Sequence, residues 1–157
     1  MPVPMSALPS ARLVTIIMII VTSLALGKAL IGTGMADYLA ISFVSLVSGM
    51  PIAYILSAFI LIMTVLTNIV SNNAAAVIGT PIAIAIAQQL GVNPEPFVLA
   101  VLFGANMSFA TPFGYQTNLL ILSAGGYKFS DFMRVGIPLT IIMWVGFSII
   151  LPILYDL

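Results

Sequence analysis

The sequence contains no cysteine and no histidine, and only eight of its 157 residues carry a charge. Without cysteine there is no disulfide and no thiolate metal site. Without histidine the commonest metal ligand and the usual general base are gone. No nucleophile, base and metal cluster can be assembled from what remains, so neither enzyme chemistry nor a cofactor is expected. The charges are Arg12, Lys28, Asp37, Glu95, Lys128, Asp131, Arg134 and Asp156, and they sum to zero. That balance offers no basic face to nucleic acid. A soluble domain carries roughly 25% charged residues, against 5% here, which is too little to cover a water-facing surface.

What the chain does have is apolar sequence: 62% of residues are hydrophobic and the mean hydropathy is +1.26. Residues 13–27, 38–94, 96–127 and 135–155 form uncharged runs of 15, 57, 32 and 21 residues. A membrane-crossing helix needs about 20, so each of the three longer runs has room for at least one. A membrane β-barrel would alternate in segments of about ten residues separated by polar turns. These runs are continuous and rich in Ile, Leu, Ala and Met. The fold class is therefore all-α, a polytopic helical membrane protein in contact with the lipid bilayer. Arg12 ahead of Leu13–Leu26, with Ala25 and Gly27, imitates a signal peptide. The rest of the chain is just as apolar, and a single charge precedes the run.

Punctuation divides the chain into a short lead at 1–11 and a membrane domain at 12–157. Three prolines in residues 2–10 make a poor helix start. Helices are expected at about 13–29 and 36–48, with Gly32-Thr33-Gly34 between them and Gly49-Met50-Pro51 closing the second. A hairpin of two apolar arms follows at 51–90, then a broken helix at 96–124 and a last helix at 131–155. Ser130 is the expected N-cap of that helix, and Tyr155 its interfacial anchor. Lys128 and Arg134 form the densest basic cluster, so loop 125–134 is expected in the cytoplasm and the C-terminus outside the cell (inner) membrane.

Two polar interruptions carry the functional reading: Ser71-Asn72-Asn73 and Thr111-Pro112-Phe113-Gly114. Irregular backbone at membrane depth is tolerated only where it is buried in protein or lines a cavity, and paired interrupted segments point to a transporter site. The arms 52–70 and 74–90 hold 19 and 17 residues, so Ser71-Asn72-Asn73 also reads as a surface turn between two crossings. The second interruption, followed by Gln116, Thr117 and Asn118, is more than a proline kink. Broken helices expose carbonyls at one end and N–H groups at the other. The carbonyls near Thr67–Val70 and Phe109–Thr111, with the side-chain oxygens of Asn72, Thr111 and Asn118, suit a hard monovalent cation. The half-helix starts near Ala74 and Gln116 suit an anion. No carboxylate lies between Asp37 and Glu95 or between Glu95 and Lys128. That leaves no proton relay and favours sodium as the coupling ion.

The stretches TNIVSNNAAAVIGTPIAIAIAQQLGV and FATPFGYQTNLLILSAGGYKFSDFMRVGIPLT resemble the divalent anion/sodium symporter family, of the bacterial anion permease or sodium/sulfate–dicarboxylate type. LALGKALIGTGMADYLA fits the helix pair that precedes the hairpin in such proteins. The resemblance runs from about Arg12 onward and decides for a re-entrant hairpin and a discontinuous membrane helix. It implies the second inverted repeat of an elevator-type transporter, with Ser71, Asn72 and Asn73 at the hairpin tip and Ala110, Thr111 and Pro112 in the loop of the next broken helix. Sodium would sit between them, on Thr67, Val70, Asn72, Ala110, Thr111 and Asn118. Substrate would meet Ser71, Asn72, Asn73, Thr111 and Pro112.

The sequence also departs from that family. Asn73 replaces a common Thr, and Asn68 stands where many relatives carry an acidic residue. Only the second repeat is matched, and Met1–Ser10 looks like an arbitrary start. The expected protein is thus the C-terminal half of a sodium-coupled symporter for a small dicarboxylate, sulfate or similar anion. Its partner would be the missing N-terminal half or a second chain, with a homodimer when complete. The alternatives are a small non-transporting membrane protein, such as a remnant or assembly partner, and an ion antiporter of the same broad superfamily.

Overall fold

The computed structural model describes residues 7–157, except for the side chains of 7–13, 15, 16, 19 and 116. Most of the expected lead at 1–11 therefore lies outside the described residues. Seven helices follow in order: α1 Ala7–Gly32, α2 Met35–Leu46, α3 Ile52–Ile69, α4 Asn72–Leu90, α5 Glu95–Asn106, α6 Gln116–Ala124 and α7 Phe129–Tyr155. The fold is all-α and polytopic. Among the described residues three helices, α3, α4 and α7, are long and apolar enough to cross a membrane, while Ile20–Gly32 of α1 and α2 form one pair bent by 66°. At 12 residues α5 spans only ~18 Å.

Local chemistry sets the ends. Gly34 adopts φ +70, a left-handed conformation that glycine reaches without penalty, and it turns α1 into α2. Gly91 does the same after α4 at φ +67, and the Val92 N–H returns to the Ala87 carbonyl at 3.0 Å. This six-to-one bond satisfies a carbonyl that the helix end would otherwise leave open. The start of α7 differs from expectation. The helix begins at Phe129, so Ser130 is already inside its first turn, and Asp131 takes the capping role instead. Its Oδ2 accepts from the Lys128 N–H at 2.8 Å, because the carboxylate three residues on reaches the exposed N–H better than Ser130 could.

The core lies where α3, α5 and α4 meet. Met63 of α3 is its centre, eight residues before Ser71, and Gly79 of α4 is eight residues after it. A Cβ on Gly79 would lie 2.6 Å from Met63 Sδ. That equal spacing about the turn makes α3 and α4 an antiparallel pair. A Cβ on Gly104 of α5 would lie 2.6 Å from Met63 Cβ and 3.2 Å from the Ile60 carbonyl. Glycine thus lets these helices approach closely, the usual solution where lipid removes any hydrophobic drive for helices to associate.

Helix α7 closes over α3 and α5 through polar and aromatic contacts. Trp144 Nε1 donates to the Ser57 carbonyl at 3.0 Å, and the Ser57 and Ser148 hydroxyls lie 2.7 Å apart. Phe103 and Phe147 stack with centroids 4.1 Å apart. At the far end the Tyr155 hydroxyl donates to Glu95 Oε1 at 2.8 Å, so Tyr155 ties the end of α7 to the start of α5. Helices α1 and α2 pack mainly on α4.

Candidate functional site

Helix α3 ends at Ile69 because the chain turns outward there: Val70 is extended, and its N–H makes the last bond back to Leu66 at 2.9 Å. Ser71 then caps α4, its Oγ accepting from the Ala74 N–H at 3.3 Å. Helix α4 therefore starts at Asn72, two residues before the expected Ala74. Opposite this turn, α5 stops at Asn106 and the backbone stays non-helical until α6 begins at Gln116.

Asn68 joins the two interruptions. Its Nδ2 donates to the Thr64 carbonyl at 2.8 Å and the Met107 carbonyl at 3.0 Å. Its Oδ1 accepts from the N–H groups of Ala110 and Thr111, each at 3.1 Å. The Thr111 hydroxyl returns a bond to the Asn68 carbonyl at 2.7 Å. One neutral amide thus satisfies three backbone groups of the break. A carboxylate at 68 could accept these bonds but could not donate the other two.

A second cluster surrounds Asn72. Its N–H donates to the Gly114 carbonyl at 3.3 Å. One terminal atom of its side-chain amide lies 2.8 Å from Thr67 Oγ1, 2.9 Å from Ser108 Oγ, 2.9 Å from the Gly114 carbonyl and 3.2 Å from the Ala105 carbonyl. The single proton of the fully buried Thr67 hydroxyl has a close acceptor in the Ala105 carbonyl, at 2.6 Å. If the Asn72 amide nitrogen points into this group, its two hydrogens face four oxygens. If the oxygen points in, five oxygens crowd together. The nitrogen-inward orientation satisfies the group, because the Asn72 N–H, its two amide hydrogens and the Thr67 and Ser108 hydroxyl protons together serve the four oxygens. The approach depends on glycine, since a Cβ on Gly114 would lie 2.5 Å from the Thr67 carbonyl and 2.6 Å from Ser108 Cβ.

A cavity of about 290 Å³ adjoins this cluster, lined by Asn72, Asn106, Ser108, Phe109, Tyr115 and Asn118. Asn118 spans the break, with its Nδ2 3.2 Å from the Ser108 carbonyl and 3.5 Å from the Thr111 carbonyl. From the other side Gly136 of α7 presses on the loop, where a Cβ would collide with the Phe109 carbonyl and lie 2.7 Å from Ala110 Cα.

The residues expected to form one site fall into two neighbouring groups. Thr67 and Asn72 belong to the oxygen cluster. Ala110 and Thr111 belong to the Asn68 group, and Asn118 bridges the loop between its ends. Val70 is half-buried at the turn, Ser71 and Asn73 are exposed beside it, and Pro112 is buried. Asn68, Ala105, Ser108, Gly114, Asn106 and Tyr115 were not among the expected site residues. Ala105 and Gly114 contribute only backbone oxygens, which no side-chain pattern announces. The sequence marks Asn68 only as a neutral residue where many relatives carry an acidic one.

The family model described as citrate transporter, CitMHS, matches residues 2–156. The chain belongs to the citrate transporter family. This is a transport family, not an enzyme family, and it agrees with the anion-transporter expectation at the level of the general family. Among its relatives is an uncharacterized transporter of Synechocystis sp., 41% identical over 131 residues, covering 83% of this chain and 21% of the relative. The putative sulfur deprivation response regulator of Chlamydomonas reinhardtii is 39% identical over 134 residues, 85% of this chain and 22% of that one. Sodium/sulfate cotransporter 1 of the same alga is 32% identical over 133 residues, 84% and 15% respectively. The chain thus spans about a fifth of the length of the first two of these relatives. Among the described residues no group of three His, Cys, Asp or Glu side chains could hold a metal ion.

Proposed function

We propose that this citrate-transporter-family chain is the site-bearing C-terminal part of a sodium-coupled symporter for divalent anions such as dicarboxylate or sulfate. The observation that carries the reading is the oxygen cluster around Asn72. The Ala105 and Gly114 carbonyls, the Thr67 and Ser108 hydroxyls and the Asn72 amide converge there on one point. Hard cations take such oxygen ligands, and rings of carbonyls replace an ion's hydration shell. With no carboxylate in the set, a monovalent ion fits better than a divalent one. The names of the algal sodium/sulfate cotransporters support both the ion and the anion class.

In this reading α3 and α4 are the two arms of a re-entrant hairpin in the second inverted repeat of an elevator-type transporter. Thr67, Val70, Asn72, Ala110, Thr111 and Asn118 frame the sodium site. The anion occupies the cavity beside Asn72, near Ser71, Asn73, Thr111 and Pro112 and the starts of α4 and α6. Loop 125–134 faces the cytoplasm, and an upstream half or second chain supplies the rest of the transporter, which is dimeric when complete.

The test has two parts. Sodium, against choline at equal ionic strength, is expected to stabilise the purified chain by about 1.4 kcal/mol at tenfold excess over its Kd, and Asn72→Ala to remove the effect. Joined to the upstream half of a sodium/sulfate relative, the chain is expected to support sodium-dependent anion uptake that Asn72→Ala abolishes. Uptake indifferent to both sodium and that substitution would overturn the proposal.

A further inference from the structure

Lys28 lies inside α1, four residues before its end, and no carboxylate pairs with it among the described residues. It stands on the rim of a cavity of about 470 Å³ between α1 and α4. The α1 wall carries Ser23, Leu24, Gly27, Lys28 and Ile31, a spacing of three and four residues that keeps them on one face. The α4 wall carries Val77, Thr80, Pro81 and Ile84 in the same register. The gap is genuine, since a Cβ on Gly27 would meet nothing within 4 Å. Pro81 keeps α4 from closing its own hydrogen bond to Val77 at this level. Leu24, Lys28 and Ile31 are exposed, so the cavity opens to the surroundings of the helix pair.

A membrane leaves two things unsettled at such a place. Apolar walls without neighbours forfeit their dispersion contacts, and a lone ammonium inside a membrane segment needs a counter-charge. An anionic phospholipid answers both, with an acyl chain along the two walls and its phosphate at Lys28. We infer that the α1–α4 cavity is a binding site for one anionic phospholipid, held by Lys28. Charge complementarity selects this occupant, since its phosphate answers the ammonium and its acyl chain the apolar walls. The inference is independent of the transport reading, because the cavity shares no residue with the Asn72 cluster.

Native mass spectrometry of the purified full chain tests it, with phosphatidylglycerol and phosphatidylcholine of identical acyl chains as probes. A single phosphatidylglycerol adduct is expected at about fivefold preference, the worth of one lysine near an anionic surface. Lys28→Gln should abolish the preference and Lys28→Arg retain it. Gly27→Leu keeps the charge but fills the groove, and should lose the adduct with helical content unchanged by circular dichroism. Equal retention of the two lipids would overturn the proposal, as would a preference surviving Lys28→Gln or an adduct surviving Gly27→Leu. Displacement of the lipid by inorganic phosphate alone, or appearance of a chain dimer in its place, would overturn it as well.

Discussion

Between α3 and α4 only Val70 and Ser71 fall outside a helix, whereas α5 and α6 are separated by the nine residues 107–115. The short turn is largely self-sufficient. Val70 bonds back to Leu66, and Ser71 receives the Ala74 N–H three residues ahead. The long break borrows its partners. Asn68 reaches across from α3 to take the Ala110 and Thr111 N–H groups and to cover the Met107 carbonyl, and Asn118 covers the Ser108 carbonyl from the other side. The prolines sharpen the contrast. Pro81, Pro138 and Pro152 all lie inside helices that continue past them, while Pro112 lies where the helix is lost. A proline in a membrane segment is therefore not itself the break. An opened backbone persists where another element supplies its hydrogen bonds.

The strongest way to break this comparison is to remove the borrowed partner. Asn68→Ala leaves three backbone groups of the loop unpaired, at about 1–3 kcal/mol each. A loss of at least about 3 kcal/mol is expected in thermal unfolding of the purified protein. Asn68→Asp, which keeps the accepting oxygen, should lose less. If both substitutions cost no more than an exposed alanine change, the loop does not depend on α3.

Pressure from α7 comes next. Gly136→Ala should cost about 1–3 kcal/mol, the range for overpacking, and lower any sodium-dependent stabilisation, since the displaced loop adjoins the Asn72 cluster. Gly146 is the control on the same helix, because its Cβ would meet nothing within 4 Å. There alanine should stabilise by about 1 kcal/mol through helix propensity. A matching loss at both positions would mean that α7 dislikes the methyl group itself, not its contact with Phe109. Smallest is Ser148→Ala, which removes the hydroxyl pair with Ser57 at about 0.6 kcal/mol, the average for such bonds in membranes. A double-mutant cycle with Ser57→Ala would measure it.

Much of the fold was legible because the bilayer restricts it so strongly. Few charges and long apolar runs leave helices as the way for this chain to satisfy its backbone in lipid, and Gly34 and Gly91 mark where two of them turn. The break was legible too, in the helix-breaking cluster around Pro112. Its extent was not, because losing helix from Met107 onward depends on Asn68, 39 residues earlier in the chain. The α7 start was misplaced by two residues because Ser130 and Asp131 both offer capping oxygens, and only the backbone path decides which one is used.

The sequence by itself determined that this protein lives in a membrane as helices, and that two of its apolar stretches are interrupted by polar residues. Those are properties of composition and order, fixed by what lipid will tolerate. Only the tertiary structure decided that the interruptions meet. Thr67 and Asn72 share a cluster with the Ala105 and Gly114 carbonyls, while Thr111 turns away to bond Asn68. Carbonyl oxygens belong to every residue alike, so which of them converge depends on how close the glycines at 79, 104, 114 and 136 let the helices and the loop come.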